Sequence, residues 1–207
     1  MKLLTYQLGA LQTNCYILID EQTNDAVAVD IGGDEGFLMM ESLKHGFKIK
    51  NVLLTHAHFD HIGGVYKFYN SGAIVYIGSG DLPAIKQGDL NLSTQFGFNV
   101  KPFEAVGVRG GDKLTFGEIE VEVIETPGHT VGGVTYKIGD MLFCGDTLFE
   151  GSFGRVDFPG GNAKILINSA KKLFDYSGFT LYSGHGEKTL VDVEKQTNPI
   201  IYYYDKD

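Results

Sequence analysis

The chain predicts an α+β fold in which two β-sheets lie face to face and helices cover their outer surfaces. Three observations point there. Strand-like runs come in two rounds, a helix-period segment follows each round, and glycine reaches 28 of 207 residues in pairs such as Gly32-Gly33, Gly63-Gly64, Gly132-Gly133 and Gly160-Gly161, as many tight connections require. The length suits one substantial core, so a single domain over residues 1–207 is expected.

Residues 3 to 8, 15 to 20 and 26 to 30 read as three consecutive strands joined by turn-rich pieces. Asp34 is placed to N-cap the helix GFLMMESLKH, which Gly46 would close. KIKNVLLT is the next strand, HIGGVYKFYNSG a helix ended by Gly72, and AIVYIG a further strand. Residues 79 to 103 show no clean period and read as a functional loop or lid. The second round contains KLTFG, EIEVEVIET, GGVTYKIGD and MLFCGD, the second of these alternating with period two. A helix follows in NAKILINSAKKLFDY, with Ile165, Leu166, Ala170, Leu173 and Phe174 on one face; FTLYSG then leads into His185. The closing VDVEKQTNPIIYYYDKD reads as a helix-like turn region broken by Pro199.

Composition narrows the function classes. Hydrophobic residues at 43% and charged residues at 21% are those of a soluble globular protein. The formal charge of −9, without any dense Lys/Arg run, argues against a surface that tracks nucleic-acid phosphates. No apolar run is long enough for a membrane span, and Gln12, Thr13 and Asn14 interrupt what a signal peptide would keep apolar, so a cytoplasmic location with no membrane partner is expected. Cys15 and Cys144 sit in strand-like apolar runs and read as buried and reduced.

The chemistry concentrates in LLTHAHFDHIGG, where His56, His58, Asp60 and His61 fall within six positions behind an apolar run. His129 in IETPGHT, Asp146 in MLFCGDT and His185 in LYSGHG stand at comparable places behind predicted strands, where loops from distant parts of a chain converge. His45, at a helix end, reads as a solvated surface residue. Three clustered imidazoles would repel one another if charged and waste hydrogen bonds if neutral; a shared cation removes both costs. In an extended segment His56 and His58 point the same way, while Asp60 and His61 begin the next helical turn and aim elsewhere. Seven donors exceed what one small ion takes while keeping a reactive position. Two neighbouring ions, sharing a carboxylate and a bridging water, would each have four or five donors and yield hydroxide near neutral pH.

The pattern His56-x-His58-x-Asp60-His61, with His129, Asp146 and His185, resembles the metallo-β-lactamase superfamily, and within it the small relatives of glyoxalase II, the hydroxyacylglutathione hydrolases. NCYIL, TPGHTVGG, GDTLFEGSFGRVDFPGG and a closing GHGEKT with TNP belong to the same likeness. The resemblance implies a four-layer αββα sandwich of two mixed sheets, with a dinuclear site between their upper edges. It places His56, His58 and His129 on one ion, Asp60, His61 and His185 on the other, and Asp146 between them. The ions expected are two divalent cations, zinc first, with iron or manganese suited to the same donors.

The resemblance further implies hydrolysis of a small-molecule thioester such as an S-2-hydroxyacylglutathione, with the bridging hydroxide as nucleophile and Asp60, beyond ligating, orienting it as a catalytic residue. No further acid stands beside the motifs to protonate a poor leaving group, which fits a thiolate with a pKa of about 8.5. The helical domain that glyoxalase II uses for glutathione is not expected in the 22 residues after His185 (207 minus 185). Arg155 is the local candidate for binding a substrate carboxylate; an internal pair with Asp157 or Asp146 is the alternative. Phe149, Phe153 and Phe158 either line the pocket or fill the core beneath it. Tyr202, Tyr203 and Tyr204 read as terminal packing or as a contact in a homo-oligomer. Other readings stay open: a mononuclear iron persulfide dioxygenase using His56, His129 and Asp146, or a hydrolase of another ester, a lactone or a phosphodiester. His58 at the second motif position, where some diiron relatives have glutamate, favours hydrolysis over electron transfer; the FPGG after Asp157 and the short C-terminus favour the hydrolase over the dioxygenase.

Overall fold

The computed structural model describes residues 1–203. Tyr204, and with it one third of the tyrosine reading, lies outside the described residues. The first sheet has six strands in sequence order: β1 (Lys2–Leu8), β2 (Thr13–Ile19), β3 (Asp25–Val29), β4 (Lys48–Leu54), β5 (Ile74–Gly78) and β6 (Val106–Val108). β1, β2 and β3 pair antiparallel, and β3 to β6 pair parallel. The second sheet takes β7 (Lys113–Phe116), β8 (Ile119–Glu125), β9 (Val134–Ile138) and β10 (Met141–Gly145). A small hairpin of β11 (Leu148–Phe149) and β12 (Ser152–Phe153) follows, after which β13 (Thr180–Ser183) and β14 (Thr189–Leu190) complete the second sheet in the order β14-β13-β10-β9-β8-β7. Both large sheets are mixed, since β10 and β13 pair parallel among otherwise antiparallel neighbours.

The period-two side-chain alternation of strands sorts the core into three layers. Along β2, Cys15, Ile17 and Ile19 face the helices outside the first sheet, whereas Tyr16 and Leu18 face the second sheet. Along β3, Ala26 and Ala28 go out and Val27 and Val29 go in. A stretch of strand buried on both faces favours apolar residues at successive positions, which is why residues 15–19 of β2 and 26–29 of β3 read as apolar runs. α1 (Glu35–His45) contributes Leu38 to the outer layer, joined by Ile62 of α2 (Phe59–Ile62) and by Val65 and Phe68 of α3 (Val65–Tyr69). On the far side, Leu166, Ala170 and Leu173 of α5 (Ala163–Leu173) and Val191 of α6 (Val191–Thr197) cover Leu142, Cys144 and Leu181; the short α4 (Ser93–Phe96) lies between, in the loop region after β5. This is the αββα sandwich expected. Cys15 and Cys144 are buried and unpaired, and burial pushes the Cys144 thiol up to about 12. Among the described residues no helix is long and apolar enough to cross a membrane.

Several local expectations are corrected. The helix over HIGGVYKFYNSG is two short ones, because the His61 carbonyl accepts the Ile31 N–H and the Gly64 N–H donates to the Ile31 carbonyl, both at 2.9 Å, in place of helix-ladder bonds. Asp34 does not cap α1: it takes φ 47°, and its carboxylate accepts the Gly9 N–H at 2.7 Å, tying the β1–β2 turn to the helix start. Gly46, at φ 73°, does close the helix. Residues 79 to 103 hold a 3₁₀ stretch, Ser79–Lys86, and α4, and the buried Asn91 pins them by accepting the Phe59 N–H at 2.8 Å through its carbonyl. Val191–Thr197 is a true helix, followed by a 3₁₀ turn at Pro199–Tyr203. β6, β11, β12 and β14 were not expected from the sequence.

Candidate metal centre

Parallel pairing brings the carboxyl ends of β3, β4, β10 and β13 to one edge of the sandwich, and every chemical motif follows one of these ends or the β8–β9 turn. Asp30 follows β3, His56 and His58 follow β4, Asp146 follows β10, His185 follows β13, and His129 lies between β8 and β9. Close approach is built into the backbone: a Cβ at Gly184 would collide with Asp146 Oδ1, and one at Gly154 with the Asp146 carbonyl.

All seven expected ligands converge. His58 Nδ1 lies 3.1 Å from His56 Nε2 and 2.9 Å from His129 Nε2. Asp60 Oδ2 lies 3.2 Å from His185 Nε2 and 3.6 Å from His61 Nε2. Asp146 stands between the two groups, with Oδ1 3.3 Å from His61 Nε2, and Oδ2 3.5 Å from His129 Nε2 and 3.8 Å from His185 Nε2. Three sets have ligand atoms close enough to share an ion: His56, His58 and His129; His56, His61 and Asp146; Asp60, His61 and His185.

Partners on the far side of each ring decide which nitrogen faces inward. His129 Nδ1 is 2.7 Å from the Arg155 carbonyl, so it carries the proton and Nε2 presents a lone pair. His61 Nδ1 is 2.8 Å from Asp30 Oδ2, so Nδ1 carries a proton and Nε2 is the nitrogen turned toward the cluster. Thr55 donates its hydroxyl to Asp30 Oδ2 at 2.7 Å, which leaves its oxygen to accept from His56 Nδ1 at 3.1 Å. Asp30 Oδ1 also accepts the Thr55 N–H at 2.8 Å. One buried carboxylate thereby orients two ligand rings. A second, Asp81, accepts from the Ala57 N–H (3.1 Å), the Thr130 hydroxyl (2.8 Å) and the Gly132 N–H (2.6 Å), locking the loops around His56, His58 and His129. Sequence reading missed both, although Asp30, like Asp60 and Asp146, closely follows a strand-like run.

The residues fit a cation. His61 Nε2 and Asp146 Oδ1, turned toward the cluster, are buried with no hydrogen-bond partner, an expensive state that an ion there relieves. Burial and the surrounding imidazoles lower His56 well below its ordinary value; burial and His129 lower His58 to about 3. Both are thus neutral donors. For His61, burial opposes the charge but Asp60, Asp146 and Asp30 outweigh it, and the group is raised well above its usual value. Asp60 and Asp146 are lowered: burial works against both charges, and His61 is the largest influence overcoming it.

Other residues are placed as follows. The Arg155 guanidinium grips Asp157 at 2.7 and 2.6 Å and lies 3.9 Å over the Phe158 ring, so the internal pair is the arrangement seen. Phe158 and Phe149 stand 6.1 Å from His58 and His185, while Phe153 packs into the outer core against Tyr203. Tyr202 is exposed. His45 pairs with Glu41 at 3.3 Å on α1 and is not among the convergent residues. Ring-to-ring contacts link Phe59 to Phe96 and Phe98, so α4 sits against the histidine loop.

A metal centre at the carboxyl edge of an αββα sandwich defines the class, and comparison with known proteins agrees. The model of the metallo-beta-lactamase superfamily matches residues 8–185, and the chain belongs to that superfamily. It is 30% identical to the hydroxyacylglutathione hydrolase GloC of Haemophilus influenzae over 93% of this chain and 94% of that one. The crystal structure of the B3 metallo-beta-lactamase BLEG-1 superposes with a TM-score of 0.90 at 32% identity, covering 97% of this chain and 99% of that one. TTHA1623 in a di-iron-bound form does so with a TM-score of 0.86 at 33% identity, covering 95% and 98%. The superfamily binds divalent metals, and this chain presents the donors for them.

Proposed function

We propose that the chain is a metal-dependent hydrolase of small thioesters, of the S-2-hydroxyacylglutathione kind, working with two divalent ions. The observation that carries the reading is the convergence of three imidazole nitrogens beside a second set of donors, with Asp146 between them. His56, His58 and His129 would hold one ion, Asp60, His61 and His185 the other, with Asp146 shared. Bound there, such ions supply hydroxide near neutral pH and polarise the carbonyl to be attacked. The likeness to GloC supports the thioester, and the di-iron form of TTHA1623 supports two occupied positions.

The chain's own groups do the rest. Asp60, held by the Thr13 hydroxyl at 3.2 Å, faces the reacting space and orients the nucleophile by accepting its hydrogen bond. His185, whose side chain is 30% exposed against 0% for His61, marks the open side through which substrate arrives, with Phe149 beside it. Arg155 is held by Asp157, so a substrate carboxylate would have to compete for it. Among the described residues, none other than the ligands stands ready to protonate a leaving group, and a thiolate needs little such help.

The test is an assay of the purified protein on S-D-lactoylglutathione, on a β-lactam and, with an oxygen electrode, on glutathione persulfide. Thioester hydrolysis well above the β-lactam rate and without oxygen uptake is expected. Oxygen uptake with the persulfide and no hydrolysis would sink the proposal.

A further inference from the structure

The two ligand sets rest on different hydrogen-bond supports. The start of β2 serves one of them. Asn14, only 3% exposed, spends both side-chain N–H groups on the carbonyls of Ser183 (3.0 Å) and Gly186 (2.9 Å), and its backbone N–H on that of Gly184 (2.8 Å). These carbonyls flank His185 on both sides. The preceding Thr13 directs its hydroxyl to Asp60 Oδ2, and Tyr16, two residues on, donates to the same Ser183 carbonyl at 2.6 Å. Both side chains at the β2 start, Thr13 and Asn14, thus act on Asp60 or on the His185 loop.

The other set has its own anchor. Asp81 ties down the backbone between His56 and His58, the hydroxyl next to His129, and the turn after it. Its three bonds all fall in the stretches carrying the imidazole trio. Asp30 reaches both sets, through Thr55 to His56 and directly to His61.

We propose that Asn14, with Thr13, is the positioning device of the Asp60–His61–His185 cation position, and Asp81 that of the His56–His58–His129 position, so that each can be emptied without the other. The inference rests on the two-ion reading above. A buried amide that bridges two carbonyls fixes the loop between them; without it, the Gly186 carbonyl loses its donor, the Ser183 carbonyl keeps only the Tyr16 hydroxyl, and the loop is held on one side alone. Partners behind ligands commonly carry about 10- to 100-fold of metal affinity. The NCYIL motif thereby acquires a role: it holds the second position closed around its ion.

The intact chain, freed of metal by chelation, is titrated with Zn²⁺ by calorimetry while bound zinc is counted by elemental analysis. Wild type should take two ions. Asn14→Ala should weaken one of them about 10- to 100-fold and leave the other as it was. His185→Ala, which removes a ligand of the second position alone, assigns the effect. In that background Asn14→Ala should leave the remaining ion's affinity unchanged, whereas Asp81→Asn should weaken it. Equal weakening of both ions by Asn14→Ala, or a loss in the His185→Ala background, overturns the proposal. Should Asn14→Ala fail to fold, Thr13→Val removes only the hydroxyl facing Asp60 and carries the same expectation. One zinc per wild-type chain would instead refute the two-ion reading beneath it, a result these variants cannot imitate.

Discussion

Asp30 Oδ2 lies 2.8 Å from His61 Nδ1, and both side chains are sealed from solvent, at 2% and 0% exposure. The carboxylate settles which His61 nitrogen is free and, through Thr55, does the same for His56. Asp30→Ala should therefore cost metal affinity about 10- to 100-fold at both positions. It should also destabilise the fold, since the Thr55 N–H and hydroxyl lose their acceptor. Metal analysis after dialysis and a urea melt check both effects. Full metal content at wild-type stability would contradict the assignment.

Asp146 lies within 4 Å of members of both sets. Asp146→Ala is expected to lose bound metal and hydrolytic activity together, and an active, fully loaded variant would refute the shared role. His45→Ala, on the surface of α1, is the matched control and should change neither.

The Arg155 side chain and its backbone do separate jobs. Its carbonyl orients His129, and its guanidinium engages Asp157 and Phe158. Arg155→Ala keeps the carbonyl, so metal content should stay at the wild-type level. Because the Arg155–Asp157 pair is solvent-exposed, the melting midpoint should move little. A metal-depleted Arg155→Ala protein would show that the side chain does more than brace its loop.

Acid should destabilise the metal-free chain. His56 and His58 have folded values below the ordinary 6.5, His58 at about 3, so the unfolded chain binds more protons and stability falls as pH drops from about 6.5 toward 3. The lowered Asp60 and Asp146 act in the same direction once pH falls through the ordinary carboxylate value of 3.8. His61 and His185 are raised, so their contributions are complete below 6.5 and fade as pH climbs above it, which offsets the His56 and His58 effect between pH 7 and 6. Urea midpoints of chelated protein at pH 6, 5 and 4 should descend in that order; a rise would contradict the sign. With metal bound the slope should steepen, because protons compete for the ligands.

The site was largely legible because its ligands are chemically rare and cluster in sequence: four of seven stand in one six-residue stretch, and the others close behind strand-like runs. The layers were legible because strand-like apolar runs, such as residues 15–19, 26–29 and 141–144, come in two rounds with helix-period segments after each. What escaped is set by tertiary contact. Asp30 and Asp81 look like ordinary turn acids until the rings and N–H groups they serve arrive from elsewhere in the chain. The two-residue strands β11, β12 and β14 leave no period to read. The break at Gly63-Gly64 comes from hydrogen bonds to the Ile31 backbone, some thirty residues away.

The most direct measurement is anomalous diffraction at the metal edge from crystals of the protein as purified. Two peaks per chain are predicted, one among His56, His58 and His129, the other among Asp60, His61 and His185, with Asp146 between them. A single peak per chain, with the second set of donors bonded only to one another or to water, would contradict the two-metal account.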